Sequence, residues 1–595
     1  MIRTPLRPLA RILDARQRGE NPKEIERENT RLRHEQTRDK ARARAESRLL
    51  ILGVFFVCAF ATVGGRMGHL AISEPVEPQA TAPGSTISAA RRDIVDRQGR
   101  ILATNFDTHA LYAQPHHMID PVRAADGLKQ IFPDLDRDRL VADFTGPRKF
   151  LWVKKKISPE QMQAVHEIGE PGLLFGPREM RLYPNGRLAA HVLGGSSYGK
   201  EGVSAAEVIG VAGVEKYFDD YLRDPINAGQ PLQLSLDMTI QSVTEHVLYG
   251  GMRIMNAKGA TAILMDARTG EVIVLASLPD FDPNERPRPL VEGDQGDSPL
   301  FNRAVQGVYE LGSALKIFAA AHAMDLGLVN THTVIDTNKP LKIGGHTIGE
   351  FQNKKYGDIS VGEVIVKSSN RGTGRLALMI GPKRQKQLMS ELGLTKQTPL
   401  ELVEAATGDP LYPKRWTDLS AVTISFGHGI SISPMHLASA YASIANGGHF
   451  VSPTLLRQDH AKLGPRVISE AAASEARKML RAVVTHGTAS MGEVAGYAVA
   501  GKTGTADKPK PRGGYYEDKV IATFASMFPA HDPKYVLVVS LDEPVETSGD
   551  EPRRTAGWTA VPVAAEIIQR IAPLLGIRPE AEPKAFRQVS FLKED

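Results

Sequence analysis

The chain has 595 residues, 42% of them hydrophobic and 24% charged, ordinary globular usage at a length that suggests about four structural units. This composition excludes a wholly disordered chain, a collagen-like fibre and a polytopic membrane protein, and a single cysteine excludes a disulfide framework or a cysteine-rich metal site. The net charge of +5 would suit a nucleic-acid partner if it lay on a folded face, but residues 1–48 alone carry 14 Lys/Arg against 8 Asp/Glu, and the rest of the chain nets −1.

Residues 1–48 therefore read as a basic tail. Lys23 to Arg48 is dense in Glu and Arg at helix-compatible spacings, which suits either a solvated arm near anionic lipid or an interaction helix. Leu49 to Gly65 (LLILGVFFVCAFATVGG) is 17 residues without a charge. As a helix it covers roughly 26 Å, the short end of a membrane span, and Arg66 can snorkel so that the span extends to Ile72. Between 66 and 90 the only basic residue is Arg66. The asymmetry predicts a signal anchor over 49–72 with the N-terminus inside and the remainder outside. Cys58 falls within it. Gly64, Gly65 and Gly68 offer small faces for packing against another span.

Ser73 to Ser88 is rich in Pro, Ser and Thr and reads as a linker. Residues 89–235 form a mixed α/β unit with turn signals at 96–99 and 183–186. Residues 236–578 form the largest unit. Ala260 to Ser277 has two apolar runs about a turn at Arg268-Thr269-Gly270, a hairpin signal. Val520 to Pro529 and Tyr535 to Leu541 predict strands. Ala314 to Leu326, Leu437 to Ala445 and Val563 to Leu575 predict helices, the last with Ile567, Ile571 and Leu574 on one face and Gly576 as its cap. Strands at both ends with helices between predict an α+β domain whose sheet is closed by distant segments. Residues 579–595 read as a loose polar tail.

A Ser and a Lys three residues apart share a helix face, and the lysine can take the serine proton if burial keeps it neutral. The chain has three S-x-x-K matches: Ser197/Lys200, Ser313/Lys316 and Ser590/Lys593. The first lies in a Gly/Ser-rich stretch and the last in the tail. Only Ser313 opens an apolar helical run, where a helix N-terminus favours a nearby oxyanion. S-x-N occurs once, at Ser368-Ser369-Asn370, and K-T-G once, at Lys502-Thr503-Gly504, followed by Thr505. The three motifs in this order are the signature of penicillin-recognising serine acyltransferases.

From the anchor to about residue 578 the sequence resembles a class B penicillin-binding protein, in particular the division-specific (FtsI-type) D,D-transpeptidases. Arg92-Asp93-Ile94-Val95-Asp96-Arg97-Gln98-Gly99 resembles the family's R-G-x-I-x-D-R-x-G, with Asp93 read in place of the glycine. Arg181-Leu182-Tyr183-Pro184 and Ala190 to Gly194 resemble its pedestal stretch. Leu236-Asp237 with Thr239 to Gln241, Met265-Asp266 with Thr269 to Glu271, Asn302-Arg303-Ala304, and Phe426 to Gly429 with Ser433-Pro434 resemble segments of its catalytic domain. Leu311 replaces a common proline, and Ala314-Leu315 stands where Thr-Phe is frequent.

The resemblance implies a transpeptidase domain of the penicillin-binding-protein/serine β-lactamase-like α+β fold, beside a dimerisation-type pedestal and one transmembrane helix. It implies a septal enzyme that cross-links D-Ala-D-Ala stem peptides and is inhibited by β-lactams. It implies Ser313 as nucleophile and Lys316 as general base, with Ser368 and Lys502 relaying a proton. Asn370, Thr503, Gly504 and Thr505 would bind substrate, Gly504 by leaving the strand edge open, and the backbone N–H groups of Ser313 and Thr505 would form the oxyanion hole. It calls for no metal or cofactor and no nucleic acid, and it implies lipid-linked precursor, an FtsW-like glycan polymerase and other division proteins as partners. An elongation-type transpeptidase, a membrane-anchored β-lactamase and a non-catalytic receptor share parts of this pattern.

Overall fold

The computed structural model describes residues 7–72, 91–201, 206–227, 229–461, 463–510, 513–587 and 591. The linker at 73–88 and the Ser590/Lys593 pair lie outside these residues. Two units separate, Met1–Glu77 and Pro78–Asp595.

In the first unit, α1 (Arg7–Gln17) turns at Gly19 and packs back on α2 (Pro22–Ile72), burying Ala15. α2 is 51 residues without a break, roughly 77 Å of helix. Its first half is tied by i,i+4 pairs such as Arg31–Glu35 and Arg42–Glu46. Glu46–Gly65, with a mean hydropathy of 2.0, is long and apolar enough to cross a membrane.

The second unit begins with the pedestal. β1 (Ile94–Val95) pairs antiparallel with the start of β2 (Ile101–Ala113), whose other end pairs with β3 (Leu151–Ile157). The opposite edge of β2 carries β4 (Leu173–Leu182), and β5 (Leu232–Gln233) runs parallel to β1. Three short helices, Pro121–Ile131, Arg137–Thr145 and Pro159–Glu167, cover an apolar cluster that includes Leu111, Leu128, Phe132 and Phe144.

A buried ion network joins the pedestal's separate stretches. Glu215 is fully buried and accepts from Arg91 Nε and Arg181 Nε, each at 2.7 Å, while Arg91 also pairs with Asp219 at 2.7 Å. This corrects the motif's register. Arg91 and Arg92 are both buried, but it is Arg91 that pairs with Glu215, whereas the Arg92 guanidinium bonds the Asp224 carbonyl and lies over the Tyr221 ring. Counted back from Gly99, the nine-position pattern starts at Arg91, so Arg92 stands where the glycine is usual. Ser197 lies in a hairpin strand, Gly195–Glu201, where residues three apart point to opposite faces.

The catalytic unit is built on one antiparallel sheet. Its strands are β6 (Gly259–Asp266), β7 (Val272–Leu278), β8 (Ala500–Pro509), β9 (Tyr515–Phe528) and β10 (Tyr535–Asp542), in the order β8-β9-β10-β6-β7. The β6–β7 turn falls where the sequence places it: Asp266 Oδ1 accepts from the N–H groups of Arg268 and Thr269, and Gly270 takes φ +79°. Every residue of β7 is buried, which requires cover on both faces. α3 (Met238–Ile254) packs on β6 and β7. The helical region before β8 carries α4 (Lys316–Asp325), α5 (Val361–Val366), α6 (Asn370–Ile380), α7 (Pro434–Ala445) and α8 (Glu470–His486). α7 packs on β6, β9 and β10, and α9 (Ala560–Ile571) joins α3 against the sheet.

Two expectations need correction. The last helix ends at Ile571 rather than Leu575, because Pro573 cannot continue it; Leu574 is exposed, and Gly576 closes a turn onto Pro573 O. Strands β8 and β9 extend through most of the segment 506–519. The tail after 579 is not loose over its described residues: Glu580 N donates to Gly496 O, Glu582 pairs with Arg481, and Phe591 is buried.

Candidate active site

The turn that carries Ser313 starts at Leu311. Gly312–Leu315 is a 3-10 turn leading directly into α4. The backbone N–H of Lys316 donates to Ser313 O, so the turn sets the two residues one 3-10 step apart. Gly312 has φ +54°, and a Cβ there would meet Thr505 O at 2.7 Å, so only glycine fits. Tyr441, fully buried on α7, donates from its hydroxyl to Ala314 O at 2.7 Å and holds the turn from below. Ser313 itself is half-buried.

Lys316 is fully buried. Its Nζ lies 3.2 Å from Ser368 Oγ and 2.7 Å from Asn370 Oδ1, and it also bonds the Ser368 carbonyl. Lys502, on β8, is fully buried too, with its Nζ 3.0 Å from Ser368 Oγ. The Ser368 hydroxyl thus sits between two amines. Burial holds the Lys316 amine well below the usual lysine range and the charge of Lys502 adds to this, with Glu350 opposing. Burial pushes Lys502 down to about 7. A buried ammonium without a paired carboxylate is costly, so burial shifts both amines toward the neutral form, which is the form a base requires.

Ser368 lies between α5 and α6 with φ +59°, a left-handed conformation that a serine keeps only where its surroundings enforce it. Glu350 supplies part of that enforcement. Its carboxylate accepts from Ser369 Oγ at 2.5 Å and from the N–H groups of Asn370 at 2.7 Å and Arg371 at 3.1 Å. An acidic group there also complements the N-terminus of α6. The Asn370 side-chain amide is held at both ends, Oδ1 by Lys316 and Nδ2 by Gly349 O at 3.1 Å; one N–H remains for another acceptor.

On β8, Thr503 and Thr505 share one face. Thr503 Oγ1 bonds Thr488 Oγ1 at 2.7 Å, and Thr505 Oγ1 accepts from Ala556 N at 3.0 Å. Gly504 faces the nucleophile turn: a Cβ would come 2.1 Å from Leu311 O and 3.2 Å from the Ala314 Cβ. The glycine is needed for this close approach of strand and turn. Glu310 frames the opposite side, accepting from Gly429 N at 2.7 Å and from the Tyr515 hydroxyl at 3.1 Å.

The structure therefore gathers Lys316, Ser368, Asn370 and Lys502 into one hydrogen-bonded group. Ser313 lies on the adjoining turn, with Thr503, Gly504 and Thr505 along the strand beside it. Ser197 is outside this group. Glu350, Tyr441 and Thr488 belong to the site but carry no sequence signal, because their contacts depend on tertiary packing and not on local spacing. Among the described residues no three His, Cys, Asp or Glu side chains are grouped to hold a metal.

Comparison with known proteins agrees with this architecture. Residues 260–569 match the penicillin-binding protein transpeptidase domain, and residues 86–228 the penicillin-binding protein dimerisation domain. The chain is 33% identical to a protein of Caulobacter vibrioides named as a probable peptidoglycan D,D-transpeptidase FtsI, over 93% of each chain. It is 29% identical to the peptidoglycan D,D-transpeptidase FtsI of Escherichia coli, covering 83% of this chain and 85% of the other. Among solved structures, penicillin-binding protein 3 of Mycobacterium tuberculosis in complex with ampicillin superposes with a TM-score of 0.63 at 26% identity, covering 83% of this chain and 97% of that one. With the matching transpeptidase and dimerisation domains and a relative 33% identical over 93% of its length, the chain belongs to the class B penicillin-binding proteins.

Proposed function

We propose that the protein is a serine-type peptidoglycan D,D-transpeptidase that cross-links D-Ala-D-Ala stem peptides during septal wall synthesis. The observation that carries this reading is the placement of the Ser368 hydroxyl between two buried amines, those of Lys316 and Lys502. Ser313 Oγ attacks the carbonyl of the penultimate D-Ala, and neutral Lys316 takes its proton. The developing oxyanion is held by the backbone N–H groups of Ser313 and Thr505, an interaction worth about 3–4 kcal/mol per donor. Ser368, bonded to Lys316 and Lys502, passes a proton to the departing D-Ala amine. An amine of a neighbouring stem then attacks the ester carbonyl, forms the cross-linking amide and releases Ser313.

The substrate contacts follow from what each side chain has left to give. Asn370 offers its remaining N–H to the substrate backbone. Thr505 accepts from Ala556 N, which leaves its own proton for the terminal carboxylate, with Thr503 beside it. α2 anchors the chain with its N-terminus cytoplasmic and the catalytic unit periplasmic, and packs against an FtsW-like polymerase.

The test is to incubate the full chain with labelled penicillin and map the adduct. One label on Ser313 is expected; labelling that survives Ser313→Ala sinks the assignment. A fluorescent fusion should collect at midcell, and an even side-wall distribution would count against the septal role.

A further inference from the structure

The C-terminal segment is fastened across the catalytic unit at several points. Glu580 N donates to Gly496 O at 2.9 Å. Glu582 accepts from Arg481 at 2.7 and 2.9 Å. Phe586 lies against the core, its ring edge-on to His531 at 6.3 Å. Phe591 is 5% exposed. Its backbone carbonyl accepts from Ser360 Oγ at 2.8 Å, and a Cβ at Gly362 would come 2.1 Å from its ring. The aromatic ring therefore rests on the bare backbone of Gly362.

Ser360 is the N-cap of α5 and Gly362 its second residue. All six residues of α5 are buried, and only Lys367 separates its end from Ser368. From Gly362 to Ser368 is roughly 9 Å at helical rise. Ser368 is in a strained conformation, so it needs support from both sides. On the downstream side Glu350 holds residues 369–371. On the upstream side stands α5, and the group seated on its first turn is Phe591.

We propose that Phe591 is a positioning residue for Ser368. By seating its ring on Gly362 and taking the Ser360 hydroxyl, it sets where α5 sits, and hence where the Ser368 hydroxyl lies between Lys316 and Lys502. The C-terminal segment is then a working part of the site, although the chemistry lies on other elements. The proposal rests on the reading of Ser368 as the proton relay.

The experiment measures acylation of the full chain in detergent by labelled penicillin, over drug concentration and pH, for wild type, Phe591→Ala and Phe591→Leu. Phe591→Ala is expected to lower the saturating acylation rate about tenfold, as a small misplacement of a catalytic group does. The half-saturating concentration is expected to stay within about twofold, since the drug's own contacts are untouched. Phe591→Leu should restore most of the rate, and amide exchange in Phe591→Ala should quicken over 361–369 and not across the sheet. A Phe591→Ala protein that acylates at the wild-type rate overturns the proposal. So does an equal loss in both variants with exchange quickened throughout the catalytic unit, which would mark a general structural role. A wild type that takes no label overturns the transpeptidase reading itself, whereas a labelled wild type with an unaffected Phe591→Ala overturns only the role of Phe591.

Discussion

Lys502 and Lys316 share one hydroxyl, and their charges oppose each other. If Lys502 is replaced by Met, the like charge beside Lys316 is gone and the pKa of Lys316 rises. The acid limb of the acylation rate should then move to higher pH, by about one unit for a neighbour at this range; a shift to lower pH, or none, would refute the coupling. Stability carries the same sign. Lys502 binds its proton at about 7 when folded and near 10.4 when unfolded, so between those values the unfolded chain holds more protons and stability rises with pH. The wild-type melting temperature should therefore climb from pH 7 to 9 more steeply than that of Lys502→Met. A flat wild-type profile would mean that the amine is better solvated than its burial suggests.

At the scale of elements, the site depends on how closely strand, turn and helix approach. Gly504→Ala puts a methyl against the Leu311 carbonyl at 2.1 Å, and backbone cannot yield as a flexible side chain can. The strand must back away from the nucleophile turn, and acylation should fall about a hundredfold, as misplacement of this order does, in a protein that still melts cooperatively. Wild-type acylation in Gly504→Ala would show that the turn relaxes freely. Glu350→Ala strips the α6 N-terminus of three hydrogen bonds. It should cost about 2–4 kcal/mol in denaturant unfolding, since buried donors are left unmet, and slow acylation as well. A loss of stability with acylation unchanged would make Glu350 a cap alone.

The sequence disclosed the site unevenly, and for physical reasons. Ser313, Lys316, Ser368, Asn370, Lys502 and Thr505 are legible because the chemistry needs those side chains at short, fixed spacings. The β6–β7 hairpin is legible from its two apolar runs and the glycine at the turn between them. Glu350, Tyr441, Thr488 and Phe591 are not, because each reaches the site from a distant stretch whose local pattern is bland. The tail looked loose because it is polar, yet Arg481 and Ser360 take up its carboxylate and its carbonyl. The register at Arg91 and Arg92 turned on which of two adjacent arginines meets Glu215, a contact 124 residues away in sequence.

At the scale of the whole molecule, the pedestal and the catalytic unit are joined by charge as well as by core. Arg97 lies 3.5 Å from Glu271, and Arg457 donates to Arg97 O at 2.6 Å. Within the pedestal, Glu215→Ala would leave Arg91 and Arg181 buried without their shared carboxylate. A broken buried pair costs about 3–5 kcal/mol, so the variant should unfold at markedly lower denaturant. An unchanged midpoint would show that water or Asp219 replaces the lost charge.

The strand order of the catalytic sheet has a consequence in time. A ribosome makes the β6–β7 hairpin early, but the strand that pairs with the other edge of β6 is β10, at 535–542. The segment between them carries the whole catalytic set, from Ser313 through Thr505. The pedestal strands, complete by Gln233, can pair while the rest is still being made. The catalytic sheet has to wait almost to the end of synthesis, because closing so long a loop is slow and the partner strand does not yet exist. The nascent chain therefore emerges with its pedestal ready and the Ser313 turn not yet closed against Gly504. On the proposed mechanism it can acylate only once nearly all of it has been translated.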